Sequence, residues 1–205
     1  MQKKKIALVL HLVLIVLDMI GLVYCIFEYG GKFIQFYTNL SNIMALIISS
    51  ISAFYIYLDL KYNTNNTPRY IKKLRYFVTV CLSITFSVVA FVLAPPSGIG
   101  GFIYFFTHGS ALYHHLLVPV ISFALLFLED NKLKFTDTFY ALIPTVLYGV
   151  VMLILNAIGY LFGPYPFLMI TLNPPIESVA SISLIVVLAY LLGLINYWII
   201  KKINK

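Results

Sequence analysis

The stretch Lys3-Lys4-Lys5-Ile6-Ala7-Leu8-Val9-Leu10-His11-Leu12-Val13-Leu14-Ile15-Val16-Leu17-Asp18-Met19-Ile20-Gly21-Leu22-Val23-Tyr24-Cys25-Ile26-Phe27 decides the fold. Three lysines precede an apolar run long enough to cross a bilayer, which takes about 20 helical residues at a rise of roughly 1.5 Å each. A cleaved signal peptide is the competing reading. The run is too long for one, is interrupted by Asp18, and is followed by no small-x-small cleavage site, so a retained first helix is expected.

Five further apolar stretches follow: Phe36 to Leu58, Leu74 to Ala94, Phe102 to Leu128, Phe139 to Leu161 and Glu177 to Ile200. The punctuation between them is chemical. Asn63-Thr64-Asn65-Asn66-Thr67-Pro68 breaks the chain after span two, and Pro95-Pro96 stops span three. Gly98, Gly100 and Gly101 make the next turn, and Glu129-Asp130-Asn131-Lys132 ends span four. The connection Phe162 to Ile176 is apolar for a loop and is expected to fold back toward the headgroup region. The expected fold class is all-α: a polytopic membrane protein of six transmembrane helices forming one domain over residues 1–205.

Charge placement orients it. Of 14 Lys and Arg residues, only Lys32 falls on one side of the implied membrane. Lys3, Lys4, Lys5, Lys61, Arg69, Lys72, Lys73, Arg75, Lys132, Lys134, Lys201, Lys202 and Lys205 share the other. The positive-inside rule then puts both termini in the cytoplasm. Charged residues make up 10% of the chain, against about 25% for a soluble domain. The net charge of +7 is therefore assigned to loop lysines facing anionic lipid and not to nucleic-acid binding. Cys25 and Cys81 lie at opposite depths, which argues against a disulfide, and neither has a metal-ligand spacing.

Function has to come from polar side chains at membrane depth, which are costly unless partnered. Asp18 and His115 lie near mid-depth on spans one and four. On a continuous span four, His108 and His115 share a face and His114 is rotated about 100° away. Pro119 has no N–H, so the carbonyl of His115 loses its helical partner and the backbone there is expected to kink. The bland reading is a bent helix with satisfied histidines, and His11, near the inner interface, is expected to be structural. On span two, Thr38, Ser41 or Asn42, Ala45, Ser49 and Ser52 form a small polar stripe of the kind that packs helices in lipid. The density of Thr38, Asn39, Ser41 and Asn42 exceeds that need. A hydroxyl with an imidazole base can attack an acyl carbonyl while amide N–H groups hold the oxyanion. Thr38 and His115 supply that minimum, with Asp18 to orient the ring. Asn156 and Asn196 are expected to bond across helix contacts, and Glu28 to be hydrated or to rim an entrance.

The motifs Phe36-Tyr37-Thr38-Asn39-Leu40-Ser41-Asn42, His115-Leu116-Leu117-Val118-Pro119 and Asp18-x-x-Gly21, with the acidic end of span four, give the chain a likeness. It resembles a bacterial member of the androgen-induced-protein-like family of six-helix membrane proteins. Animal members hydrolyse fatty acid esters of hydroxy fatty acids with a threonine nucleophile and a histidine. Carried over, the resemblance implies Thr38 as nucleophile and His115 as base, with His114 the competing choice. Asp18, Asn39, Asn42 and His108 are the supporting residues.

The expectation is an intramembrane hydrolase of lipid esters in the cell membrane of a bacterium, meeting membrane lipids and a fatty-acyl ester and requiring no metal or organic cofactor. Two other classes stay open. One is a transporter or lipid-binding protein with a protonatable Asp/His cavity, in which Thr38 is dispensable. The other is a non-catalytic scaffold that tolerates substitution at both Thr38 and His115.

Overall fold

The computed structural model describes residues 1–129 and 132–203. Asp130 and Asn131, expected at the end of span four, and Lys205, counted with the inner basic residues, lie outside the described residues. The regular structure described is all helical. Helix α1 covers Gln2–Tyr29 and is followed by a 3-10 segment, Gly30–Gln35. Helices α2 and α3 cover Tyr37–Lys61 and Arg69–Val88, and α3 widens to a π-helical turn over Val89–Leu93 before Pro95. Helix α4 covers Gly98–Thr107, α5 Gly109–Leu125, α6 Asp137–Ala157 and α7 Pro175–Ile203. Among the described residues five helices are long and apolar enough to cross a membrane, and α5 is a shorter apolar helix.

The outside of this bundle is greasy and its inside is polar. Val9, Leu12, Val16 and Val23 of α1, and Leu184, Val187, Leu191 and Ile195 of α7, are exposed. His11, Asp18, Asn42, Arg75, Thr79 and Ser122 are at most 1% exposed. A soluble protein inverts that arrangement; a polytopic membrane protein requires it, because lipid offers no hydrogen bonds.

Helix α3 is the hub. Val78, Val80, Cys81 and Leu82 are all fully buried, which needs neighbours on every side. Tyr76, Val80 and Ile84 pack with Ala189 and Ile200 of α7. Val78 and Leu82 pack with Leu14 of α1, Ala45 of α2 and Val118 of α5. The small stripe of α2 (Ala45, Ser49, Ser52) is buried, as its spacing suggested. Cys25 and Cys81 are free thiols.

Span four is not one helix. The chain breaks at His108, whose backbone is extended, and turns through Gly109 at φ +46°. Glu28 at the end of α1 explains the break. Its carboxylate accepts the Ser110 backbone N–H at 3.0 Å and the Ser110 hydroxyl, filling the role of an N-cap for α5. A Cβ at position 109 would fall onto Glu28 Oε1. The shared face expected for His108 and His115 therefore does not exist. Below the break, Leu112–Leu117 is π-helical, which is how this helix takes up the donor missing at Pro119.

At the basic end, His11 Nε2 donates to Glu129 Oε1 at 2.7 Å. Arg75 Nε reaches the same oxygen at 3.4 Å and its Nη1 donates to Ser122 Oγ at 3.4 Å. Asp59 accepts from Asn66 N, Thr64 Oγ1 and Thr67 Oγ1, which folds the loop after α2 over this cluster. Asn196 bonds across α7 and α3 to Ser83, whereas Asn156 instead pins the loop at Gly163.

Two outcomes follow from this geometry. Replacing Gly109 by Ala combines a left-handed backbone with a clash, so unfolding in detergent should show a loss of at least about 2 kcal/mol; an unchanged midpoint would remove Glu28 as the cause of the break. Burial alone would raise the Glu129 carboxyl, but Arg75 and His11 outweigh it and hold the group at about 2. Because that lies below the unfolded value near 4.5, the stabilisation is present above pH 4.5 and is lost as pH falls toward 2. Glu129→Gln should lower the midpoint at neutral pH and flatten its acid dependence, checked by thermal unfolding across that window.

Candidate functional site

At the end opposite the basic cluster lies a cleft of about 800 Å³. Thr38 and Asn39 line it from α2, His108, His114 and His115 from the broken span four, Glu28 from α1, and Tyr165 from the loop before α7. Five of the seven candidate site residues thus meet at one cavity, and Glu28, read in the sequence as hydrated or rimming an entrance, joins them. Asp18 and Asn42 do not line it.

The two adjacent histidines have different surroundings. His114 is 1% exposed and turned toward α1 and α2. Its Nδ1 donates to Asn39 Oδ1 at 3.1 Å, and Cys25 Sγ donates to the same oxygen at 3.1 Å. Its Nε2 lies 3.3 Å from Asp18 Oδ1. That pair is within ion-pair range but is not aligned as a hydrogen bond, and among the described residues neither Asp18 oxygen has another partner. Gly21 makes the seat possible: a Cβ there would stand 2.5 Å from His114 Nε2. The Asp18-x-x-Gly21 motif is therefore a socket for His114, one residue supplying the charge and the next turn supplying the space. Asp18 was expected to serve His115; it serves His114, because the π-helical turn points His114 at α1.

His115 faces the other way. Its Nδ1 donates to the carbonyl of Phe105 in α4 at 2.8 Å, which places the proton on Nδ1 and leaves Nε2 as an acceptor. The break before α5 is what brings that carbonyl within reach.

The amides expected to hold an oxyanion are otherwise engaged. Asn42 Nδ2 donates to the Thr38 carbonyl at 2.7 Å and more weakly to the His114 carbonyl at 3.4 Å. Asn39 Nδ2 donates to the Phe33 carbonyl at 2.9 Å. The donors left at Thr38 are different ones. The N–H groups of Tyr37 and Thr38 open α2, where no intrahelical acceptor exists, and Phe36 provides no side-chain cap. The Tyr165 phenol faces these N–H groups and the Thr38 hydroxyl; burial raises its pKa and Thr38 only partly offsets that, so it stays protonated. Tyr165 was hidden in the sequence among 16 tyrosines; its flanking Pro164 and Pro166 were the available signal.

A second, apolar cavity adjoins the first. Ile84, Val88, Val146, Leu153, Leu168 and Ile182 are among its walls, and its lining shares Thr38, Leu93 and Tyr165 with the polar cleft. Thr38 thus stands at a boundary between a greasy chamber and a polar one. Among the described residues no group of three or more His, Cys, Asp and Glu side chains is placed to hold a metal ion.

Gly21→Ala should unseat His114 and cost about 1–3 kcal/mol by overpacking, read as a lower unfolding midpoint in detergent. Nitrogen-15 spectra of labelled protein should show His115 in the Nδ1–H form, and a Nε2–H tautomer would contradict the bond to Phe105.

No family model matches the chain, and neither a curated protein nor a solved structure matches it.

Proposed function

We propose that this chain is an intramembrane hydrolase of lipid esters, working in a six-span arrangement with both termini on the cytoplasmic side of the cell membrane. The observation that carries the reading is the position of Thr38 on the shared wall of an apolar cavity and a histidine-lined polar cleft. An acyl chain occupies the first, its ester carbonyl lies at the wall, and the polar part of the substrate occupies the second. Thr38 Oγ1 attacks the carbonyl and His115 Nε2 accepts the hydroxyl proton. The oxyanion is held by the N–H groups at the start of α2 and by Tyr165. His115 then protonates the leaving alcohol, and water entering through the polar cleft hydrolyses the acyl-threonine. His114 is a positioning residue in this scheme, fixed by Asp18 and Asn39. Membership of the androgen-induced-protein-like family is part of the same proposal.

A second reading is a proton-coupled carrier, favoured by the Asp18–His114 pair sealed inside the bundle. One experiment separates the two. Purified protein is assayed on a panel of fatty-acyl esters and with a fluorophosphonate probe, alongside Thr38→Ala and His115→Ala. The hydrolase reading expects labelling and turnover in the parent, loss of both in Thr38→Ala, and a turnover drop of at least about 100-fold in His115→Ala. A folded parent with neither labelling nor turnover would sink it. Proton-dependent flux in vesicles that needs Asp18 and not Thr38 would establish the carrier.

A further inference from the structure

At the basic end, far from the histidine cleft, a separate cavity of about 270 Å³ opens between the starts of α1 and α3 and the loop after α2. Its walls include Lys3 and Lys4, Lys72 and Arg75, and Asn65 and Thr67. A neighbouring hollow shares Asn65, Thr67 and Lys72 and adds Arg69 and Lys132. Two carboxylates also line the first cavity, Asp59 and Glu129, and each already pairs with a cation of the protein. Asp59 accepts three donors from its own loop and lies 3.5 Å from Lys4 Nζ. Glu129 is held through Oε1 by His11 and Arg75, and its Oε2 has no hydrogen-bond partner among the described residues.

The lining sets four cations, Lys3, Lys4, Lys72 and Arg75, against these two carboxylates, an excess of positive charge. Arg75 is 1% exposed, and among the described residues its Nη2 has no hydrogen-bond partner. Leaving a guanidinium N–H unpaired and buried is costly. Lys3 and Lys72 form no ion pair among the described residues, although Lys73 beside them does, at 2.6 Å to Asp137. The helix ends add to the imbalance. Neither α1 nor α3 carries an acidic residue in its first turn. Both instead place cations where the macrodipole and the free N–H groups favour an anion. An arrangement that is unfavourable for each helix alone becomes favourable once an anion sits between them.

We propose that this cavity binds a phosphate group, carried by an anionic lipid headgroup or by a free phosphate. Arg75 Nη2 and the ammonium groups of Lys3 and Lys72 are its donors, and the Asn65–Thr67 loop closes over it. The site is independent of the chemistry at Thr38.

The test uses the full chain in detergent micelles, with unfolding followed by the fluorescence of the single tryptophan, Trp198. In one arm, inorganic phosphate is compared with chloride at equal ionic strength. In the other, phosphatidylglycerol is compared with phosphatidylcholine in mixed micelles. Stabilisation by phosphatidylglycerol alone assigns the headgroup as ligand, and stabilisation by inorganic phosphate as well assigns the free anion. In either case K3Q/K72Q should raise the half-saturating concentration roughly fivefold per lysine removed, while K201Q/K202Q, at the same end but outside the cavity, should leave it unchanged. Arg75→Gln should lose the response, and should it not fold, the lysine pair carries the test. No stabilisation in either arm overturns the proposal. So does equal stabilisation of the parent and K3Q/K72Q, which would mean diffuse attraction of anions to a basic surface.

Discussion

The grip of Glu28 on Ser110 organises one end of the molecule. A carboxylate at the end of α1 satisfies the first donors of α5, and it does so only where glycine at 109 lets the chain turn under it. Because α5 starts there, the residues before it form a separate helix, α4, that folds beside the cleft. Because α4 is separate, its Phe105 carbonyl is available to His115. Without the break, the two histidines would belong to one straight helix, and their ring positions would follow from the helical period alone.

The rest of the interior answers to the same constraint, that buried polar groups look for partners within the protein, and most of them find one. The bundle meets it with local solutions at two depths. Near one end, His11, Arg75, Glu129, Ser122 and Thr79 share protons across α1, α3 and α5. Near the other, His114, Cys25 and Asn39 do so across α5, α1 and α2, with Asp18 of α1 in ion-pair range of His114. Between them Leu14, Ala45, Val78 and Leu82 form a dry layer. Helices that lack a hydrophobic drive to associate in lipid are thus tied at two levels and packed tightly in the middle.

Much of this was legible from residue order, and the failures have definite causes. Long apolar runs and their breakers located the helices, since length and composition suffice for that. Polar residues at depth pointed to Thr38, Asn39, His108, His114 and His115, which do meet at one cleft, because lipid leaves such groups no other place to go. The partners of each were not legible. Asp18 pairs with His114 and not His115, since a single π-helical turn changes which ring faces α1. Asn42 is spent on the backbone carbonyls of Thr38 and His114, a matter of side-chain direction that spacing does not encode. Glu28 read as a hydrated acid or the rim of an entrance; it does line the cleft, but its grip on Ser110 was not legible because that partner lies 82 positions away. Tyr165 looked like any other loop tyrosine until the loop folded back onto α2.

The wall formed by Thr38, Leu93 and Tyr165 gives the two chambers separate determinants. Side chains such as Val146, Leu153 and Ile182 shape only the greasy side, while Tyr104, His108 and Glu28 shape only the wet side. A change in the bulk of the first set reshapes the apolar cavity without touching the imidazoles, and a change at Tyr104 or His108 reshapes the polar cleft without touching the apolar walls. The size of one chamber and the polarity of the other can therefore vary independently while the bundle that carries both keeps one framework.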